Sequence, residues 1–288
     1  MAMRETLAEQ VTGLDALELP AAPRRSRAAR FWSSAWPKAL AAVLGLGLWQ
    51  AVVWSGWKPA YVLPGPSTVL PVLWHSLTDG SLPTAAGITL RRALVGYSLA
   101  VLVGTAVGSL VARIRVLRTA VGSLITGLQT MPSIAWFPLA IVLFKLSESA
   151  ILFVIILGAA PAIANGLITG SDHIPPIMLR AGRVLGARRL ALYRHVVLPA
   201  SLPSFVAGLK QGWSFAWRSL MAGELLVVIA NKQSIGVQLQ VARDLADYDG
   251  LLATMLVILT IGIAVDSLLF GTIDRVIRRR WGLMEPAG

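Results

Sequence analysis

Six long apolar segments, separated by shorter polar connections, run along the 288-residue chain. Each is long enough to cross the roughly 30 Å hydrocarbon layer of a membrane as a helix. The first segment is the shortest, and no small-residue cleavage site follows its LWQAVVWSGW end, which favours an uncleaved span over a secretory signal. The pattern predicts an all-α membrane protein with six transmembrane helices, near 39–54, 88–112, 119–144, 149–169, 203–229 and 250–272.

The polar connections also divide the chain into parts. A connection at 170–202 is the longest internal one that the predicted topology places in the cytoplasm. The predicted parts are a cytoplasmic tail at 1–38, a first helix with an outer loop at 39–86, a helical core at 87–281 that includes this connection, and a C-terminal tail at 282–288.

Composition agrees with a membrane protein. Hydrophobic residues make up 56% of the chain and charged residues 14%, and the mean hydropathy is +0.69. A soluble domain of this length needs far more charge to cover its surface. The chain has no cysteine, which excludes a disulfide framework and thiolate chemistry.

The charge of the chain is unevenly distributed. A net charge of +12 also fits a nucleic-acid-binding protein, because a basic surface attracts phosphate groups. With the N-terminus in the cytoplasm, however, 18 of the 26 lysines and arginines lie on the cytoplasmic side and 6 on the outer side. This bias fits the positive-inside rule. We therefore predict a multi-pass protein of the cytoplasmic membrane, with both termini in the cytoplasm and no nucleic-acid partner.

The 170–202 loop contains the stretch RAGRVLGARRLALYRHVVLP, with five arginines in its first fifteen residues. We interpret it as two short helices that break at Gly186 and end at Leu198-Pro199, because glycine permits a tight turn and proline interrupts a helix. The first is predicted to separate an apolar side from its arginines. Such a loop either rests on anionic lipid headgroups or docks on a soluble partner, and the corner glycine favours docking. The predicted apolar side consists of Met178, Leu179, Val184 and Leu185.

The fifth apolar segment carries polar residues at helical spacing. Gln211, Ser214 and Arg218 share one face of the predicted helix, and Arg218 falls near the middle of the span. A guanidinium there offers two parallel hydrogen bonds to an oxyanion. The alternatives are a structural ion pair with Asp266 or Glu224, or a charge that faces a hydrated gap between subunits. Glu224 is itself a further candidate for a substrate path.

Weaker candidates lie in other spans. Pro132, between Met131 and Ser133, interrupts the third segment and forms either a gate or a packing kink. Asn165 in the fourth segment either lines a path or makes an interhelical hydrogen bond. The pair Gly104 and Gly108 is predicted to allow close helix packing inside the subunit.

The arginine-rich loop resembles the cytoplasmic signature of ABC importer permeases, EAA-x3-G-x9-I-x-L-P. Two departures stand in the triplet: Arg180 replaces the glutamate and Gly182 replaces the second alanine, so the contribution of the glutamate to ATPase docking does not carry over. The residues that match or flank the motif are Arg180, Ala181, Gly182, Arg183, Leu185, Gly186, Ala187, Val196, Leu198 and Pro199.

Other segments resemble the nitrate, aliphatic sulfonate and taurine branch of the same family. They are VLPGPSTVLPVL, GITLRRALVGYSLAVLVGTAVGSLVA, LQTMPSIAWFPLAIVLF and GLKQGWSFAWRSLMAGELL, and the resemblance spans about 62–283. Lys145 stands where many relatives have glycine. The resemblance implies the type I ABC importer permease fold.

The resemblance also implies the partners. A permease of this kind pairs with a second copy of itself in the bilayer, with two cytoplasmic ATPases that bind ATP and Mg²⁺, and with an extracytoplasmic binding protein. The chain itself is expected to be no enzyme and to hold no cofactor. It has no GxxxxGK[ST] phosphate cradle, and its three histidines lie on different loops without a metal-ligand spacing.

The substrate is expected to be a small oxyanion, with an aliphatic sulfonate ahead of nitrate, taurine or bicarbonate. One alternative is a permease for a vitamin or pyrimidine-type precursor, because the branch resembles permeases for those too. Another is a secondary transporter or channel that works without ATP. The Gly186 loop disfavours that alternative, because a self-sufficient carrier has no need of an ATPase dock.

Overall fold

The computed structural model describes residues 27–188, 190–230 and 232–280. The regular structure in these residues is all helical, as predicted. The described residues form two units, 27–57 and 58–280. The predicted C-terminal tail, 282–288, lies outside the described residues, and so do residues 1–26 of the predicted N-terminal tail, 1–38.

The first unit is a single helix, α1 (Arg27–Trp54), which begins well before the predicted first segment. Its apolar part, Trp36–Trp54, is long enough to cross a membrane. Pro37 lies inside the helix.

The second unit contains the remaining described helices. A 3₁₀ turn (Ser133–Trp136) and two π-helical segments (Tyr193–Val197 and Val265–Phe270) join or extend them. The helices are α2 (Pro66–Thr78), α3 (Ser81–Arg113), α4 (Arg115–Thr130), α5 (Phe137–Phe144), α6 (Glu148–Asp172), α7 (Pro176–Val184), α8 (Leu190–Leu192), α9 (Leu198–Leu226), α10 (Ile235–Asp244), α11 (Tyr248–Ala264) and α12 (Gly271–Arg280).

Helix α3 begins at a tight junction with α2. Gly80 has a φ of 80°, a left-handed conformation that glycine adopts without steric cost. The carboxylate of Asp79 accepts a hydrogen bond of 2.8 Å from the backbone N–H of Ser81. This bond holds the pKa of Asp79 below its ordinary value.

Helix α6 is the centre of the unit and packs mainly against α3 and α9. Small residues make the close approach possible. A Cβ added at Gly104 of α3 would lie 2.7 Å from the carbonyl oxygen of Ala160, and one added at Gly108 would lie 2.9 Å from that of Ala164. The predicted role of Gly104 and Gly108, close packing inside the subunit, is therefore confirmed.

The contact of α6 with α9 is as close. A Cβ at Gly166 would lie 2.6 Å from the Cα of Gly208. Large apolar side chains, among them Phe137, Ile155 and Leu220, fill the space around these crossings and are fully buried. Backbone-to-backbone packing of this kind is typical of helices that associate within a bilayer.

The predicted count of six spans is only partly reproduced. In the part of the chain that the structure describes, four helices are long and apolar enough to cross a membrane: Trp36–Trp54, Ser81–Arg113, Glu148–Asp172 and Tyr248–Ile277. The pair Val116–Thr130 and Ser133–Phe144 makes a fifth if the two are counted as one bent span. Helix α9 has 29 residues but does not qualify by composition, because its polar and charged residues lower its hydropathy.

Candidate functional site

The third predicted segment is broken where proline predicted an interruption. Helix α4 ends at Thr130, and Met131 and Pro132 take extended backbone angles, with ψ of 127° and 126°. The chain then resumes at Ser133, and the segment Ser133–Phe144 runs at an angle of 102° to Val116–Thr130. Proline has no N–H to continue the helical ladder, which accounts for the position of the break.

A cavity of about 380 Å³ lies between this break and α9. This volume suits a small solute. We call it the Arg218 cavity, and it brings together three residues that the sequence singled out separately: Met131, Ser133 and Arg218. The complete lining is Leu128, Gln129, Thr130, Met131, Pro132, Ser133, Ile134, Gly158, Phe215, Arg218 and Ala222.

The polar residues of α9 form a stripe. Gln211, Ser214 and Arg218 are all exposed on one side of the helix, as their spacing predicted, and Lys210 is exposed beside them. Of this stripe, only Arg218 borders the Arg218 cavity.

The guanidinium of Arg218 has two contacts within its own helix. Its Nε donates a hydrogen bond of 3.2 Å to the carbonyl oxygen of Ser214, and its Cζ lies 4.8 Å from the ring centre of Phe215. Neither contact neutralises a cation. Within 27–188, 190–230 and 232–280, no carboxylate forms an ion pair with Arg218.

The predicted alternative, a structural ion pair between Arg218 and Asp266 or Glu224, is wrong. Asp266 pairs with Lys210, at 3.2 Å, and Glu224 pairs with Arg92, at 2.9 Å. Both acids have another cation as their partner, so neither pairs with Arg218.

Glu224 does not share the exposed face of α9. It is fully buried, and it accepts hydrogen bonds from the Thr89 hydroxyl at 2.9 Å, from Nη1 of Arg92 at 2.9 Å and from the N–H of Gly236 at 3.0 Å. Since these groups surround the carboxylate, the structure places Glu224 in a structural network. Asn165, the remaining candidate, is half-buried on α6 and is not among the residues that line the Arg218 cavity.

Sequence reasoning missed this buried network. Arg92 also pairs with Glu148, at 3.0 Å, and Glu148 in turn pairs with Lys232, at 2.7 Å. In the predicted topology Arg92 is one of the six lysines and arginines on the outer side. An available signal was the presence of a charge at the start of an apolar segment, since such charges pair when they are buried.

In the 170–202 loop, the corner at Gly186 is built as predicted. Gly186 has a φ of 85°, which strongly favours glycine. The N–H of Ala187 donates to the carbonyl of Gly182 at 2.9 Å, and the N–H of Gly186 donates to that of Arg183 at 3.0 Å. These two bonds form a Schellman motif, which ends α7 sharply.

Gly182 is the residue through which α7 packs against the helical segment that follows it, at Leu192 and Val196. A Cβ at this position would lie 2.8 Å from Cδ1 of Leu192 and 2.8 Å from Cγ2 of Val196. The second departure from the signature, glycine in place of alanine, therefore has a packing reason. Two apolar side chains at the C-terminal end of α7, Val184 and the following Leu185, are 87% and 86% exposed. We call this pair the apolar tip.

Two expectations about this loop are wrong. The apolar residues of α7 do not gather on one side, because Met178 lies near the direction of Gly182 whereas Val184 points away from it. The second helix does not end at Leu198-Pro199 but continues into α9. The N–H of Leu198 donates to the carbonyl of Tyr193 in a π-helical turn, and this wider turn precedes Pro199 at the beginning of α9.

Comparison with known proteins identifies relatives of this chain. The family model described as "Binding-protein-dependent transport system inner membrane component" matches residues 100–281. An ABC transporter permease protein of Methanocaldococcus jannaschii is 32% identical over 71% of this chain and 78% of its own length. The nitrate import permease protein NrtB of Leptolyngbya laminosa is 31% identical, over 66% of this chain and 70% of its own. The taurine transport system permease protein TauC of Escherichia coli is 26% identical, over 80% and 87%.

The fold also matches a solved structure, an inward-facing conformation of the MetNI methionine ABC transporter. The TM-score is 0.56 at 19% identity, and the match covers 68% of this chain and 95% of that one. This likeness supports the type I ABC importer permease fold. Since the family model covers more than half of the chain, this protein belongs to the binding-protein-dependent inner membrane components, the permease subunits of ABC importers, whose ATPase is a separate subunit.

Proposed function

We propose that this chain is the permease of an importer for a small oxyanion, with an aliphatic sulfonate ahead of nitrate, taurine or bicarbonate. The observation that carries the proposal is Arg218, an exposed cation at the edge of a small cavity with no carboxylate partner among the described residues. A charge in a membrane-spanning helix is costly and usually serves a function.

The chemistry of the Arg218 cavity suits an anion with several oxygens. A guanidinium is planar and donates two parallel hydrogen bonds, which match two oxygens of one oxyanion. The hydroxyl of Ser133 and the amide of Gln129 lie in the same lining and offer further donors. The hydroxyl of Thr130, also in the lining, donates to the carbonyl of Gly127. Two relatives are named for nitrate and for taurine, and the acidic group of taurine is a sulfonate.

The stripe on α9 supports assembly with a second copy. Lys210 and Asp266 form an ion pair whose side chains are both half-exposed, and Gln211, Ser214 and Arg218 lie beside it. Because hydrocarbon does not solvate such groups, this face turns towards water or another subunit. In a symmetric pair, two copies of the stripe face one shared path.

The energy for transport comes from the ATPase subunits with which this family works. In our proposal two cytoplasmic ATPases bind ATP and Mg²⁺, and α7 with the Gly186 corner docks on them. Closure of the ATPase pair then moves the spans as rigid bodies and alternates access to the path. A binding protein outside the membrane delivers the anion, and both termini of this chain are cytoplasmic.

The Arg218 series tests the proposal. The complete complex, reconstituted in vesicles at equal abundance, is assayed for ATP-driven uptake of labelled ethanesulfonate, taurine, nitrate and bicarbonate. Arg218→Gln is expected to lower uptake of the transported anion by about tenfold or more, because it removes a charge-assisted hydrogen bond. Arg218→Lys is expected to keep partial uptake, since it keeps the charge but loses the planar fork.

Arg275→Gln is the matched control. Arg275 is exposed on α12, and its Nε donates to the carbonyl of Gly271 four residues earlier, as that of Arg218 does to Ser214. Uptake by this variant is expected to stay normal. Normal uptake by a stable Arg218→Gln complex refutes the oxyanion path. Uptake of a neutral pyrimidine precursor and of none of the anions supports the alternative cargo.

A further inference from the structure

Helix α7 presents an outward face on which a cation stands among apolar side chains. Gly182 marks the inward direction, because it packs against Leu192 and Val196. At about 100° per residue, Arg180 and Val184 each point within about 20° of the opposite direction, and Ile177 within about 40°. All three side chains are exposed. Arg180 is therefore part of the centre of the outward face.

The loop contains no acid that could neutralise Arg180. Asp172 is the only acidic residue in 170–202, and it pairs with Arg118. Arg183 and Arg188 are exposed as well. Among the described residues no carboxylate pairs with Arg180, Arg183 or Arg188. The outward face thus has a positive charge that no carboxylate of the described residues balances.

A protein groove fits this face better than a lipid surface. A helix that lies on a bilayer buries an apolar face and keeps its basic residues at the margin. Here Arg180 lies about one turn along the helix from each of Ile177 and Val184 and within about 60° of both around it. Insertion of these apolar side chains would therefore draw a guanidinium towards the acyl region, which is costly. A protein groove that contains a carboxylate can bind both the guanidinium and the apolar side chains around it. Arginine within an apolar interface is a frequent source of binding energy.

From this geometry we propose that the groove of the ATPase that receives α7 has a carboxylate facing Arg180, beside an apolar pocket for Val184 and Leu185. The inference rests on the proposed docking of α7 and adds the chemistry of the partner. The family signature has a glutamate at this position, so the polarity of the contact in this protein is opposite. Specificity follows, because an ATPase with a basic groove would repel this loop.

The test measures how much of its ATPase the chain retains. The complex is purified through a tag on this chain, in neutral phosphatidylcholine nanodiscs, and the ATPase is quantified as a function of salt. Arg180→Glu is expected to lower retention by at least about tenfold, because it places like charges together in a desolvated contact. Arg180→Lys is expected to retain most of it. Arg194→Glu, an exposed position in the same loop but outside α7, is the control and is expected to behave as the wild type.

A second arm separates this inference from docking itself. Leu185→Ser removes an apolar contact of the tip without a change of charge. Loss of ATPase in Leu185→Ser with full retention in Arg180→Glu refutes the carboxylate and leaves docking intact. Full retention in both refutes docking. If Arg180→Glu matters only when anionic lipid is added to the nanodiscs, the face binds lipid headgroups and the inference is wrong.

Suppressor variants identify the partner residue. A library of ATPase variants is selected for restored uptake with Arg180→Glu, whose own folding is checked by its melting temperature. The expected suppressors replace an acidic residue of the groove by a neutral or basic one. Suppressors that map only to positions without acids contradict the proposal.

Discussion

Arg92 and Glu224 are a pair of opposite charges that are almost completely removed from solvent. Their side chains are 4% and 0% exposed, and they join α3 to α9. Thr89, Gly236 and Glu148 complete the hydrogen bonds around them. Removal of one partner leaves an unpaired charge in a medium that does not solvate it, which is far more costly than removal of both.

Replacement of Arg92 tests this argument. Arg92→Met is expected to lower stability by about 3–5 kcal/mol, because Glu224 then remains buried without a cation. The double variant with Glu224→Met is expected to recover part of the loss. The melting temperature of the detergent-solubilised chain is the measurement. A double variant as unstable as the sum of the two single variants contradicts the coupling.

At the scale of elements, glycines determine how closely α3, α6 and α9 approach. Gly104 of α3 contacts the backbone of α6, whereas Gly87 of the same helix has no atom within 4 Å of where its Cβ would lie. The two positions therefore differ in surroundings but not in helix type, which makes them a matched pair.

Alanine at these two positions should have opposite effects. Gly104→Ala is expected to lower the melting temperature, since its Cβ would meet the carbonyl of Ala160 at 2.7 Å. Gly87→Ala is expected to leave the melting temperature unchanged or to raise it, because alanine favours a helix over glycine by about 1 kcal/mol. Equal effects at both positions would show that helix propensity, rather than packing, determines the change in melting temperature.

The corner between α7 and α8 is a second element that a single residue controls. Gly186→Val is expected to disturb the corner at a cost of about 1–2 kcal/mol, because a β-branched residue resists a positive φ. Membrane insertion should remain normal, while ATPase retention and vesicle uptake fall. Gly186→Asn is the control, since asparagine tolerates this conformation better. Wild-type retention and uptake in Gly186→Val would contradict the role of the corner in coupling.

At the scale of the whole molecule, the polar stripe of α9 and the 170–202 loop belong to one transport cycle only if the chain has the predicted orientation. The loop must face the cytoplasm to meet an ATPase. The connection at 230–249 must then face outward.

Cysteine labelling checks this orientation, because the native chain has no cysteine. Arg194→Cys and Arg243→Cys are both exposed arginine positions, one in the loop and one on α10. In intact cells, or spheroplasts where there is an outer membrane, an impermeant reagent is expected to label only Arg243→Cys. Both should react after permeabilisation. Labelling of Arg194→Cys in intact cells would overturn the predicted map.

Much of the fold was determined by the sequence alone. Apolar length and periodicity located the long helices α3, α6, α9 and α11, because a segment in hydrocarbon must satisfy its own backbone groups. Gly186 and Pro132 marked the corner and the break, because each acts on the backbone of its own segment. The spacing of Gln211, Ser214 and Arg218 likewise predicted their common face.

Which charged side chains form ion pairs was determined only by the tertiary structure. From the sequence, Asp266 and Glu224 were both possible partners of Arg218. In the structure α3 and the Val265–Phe270 segment pack against α9, so Glu224 pairs with Arg92 and Asp266 pairs with Lys210. Helical spacing orders residues along one helix and says nothing about which helix lies beside it. The Arg218 cavity has the same origin, because it forms between the break after α4 and the face of α9, more than 80 residues later in the chain.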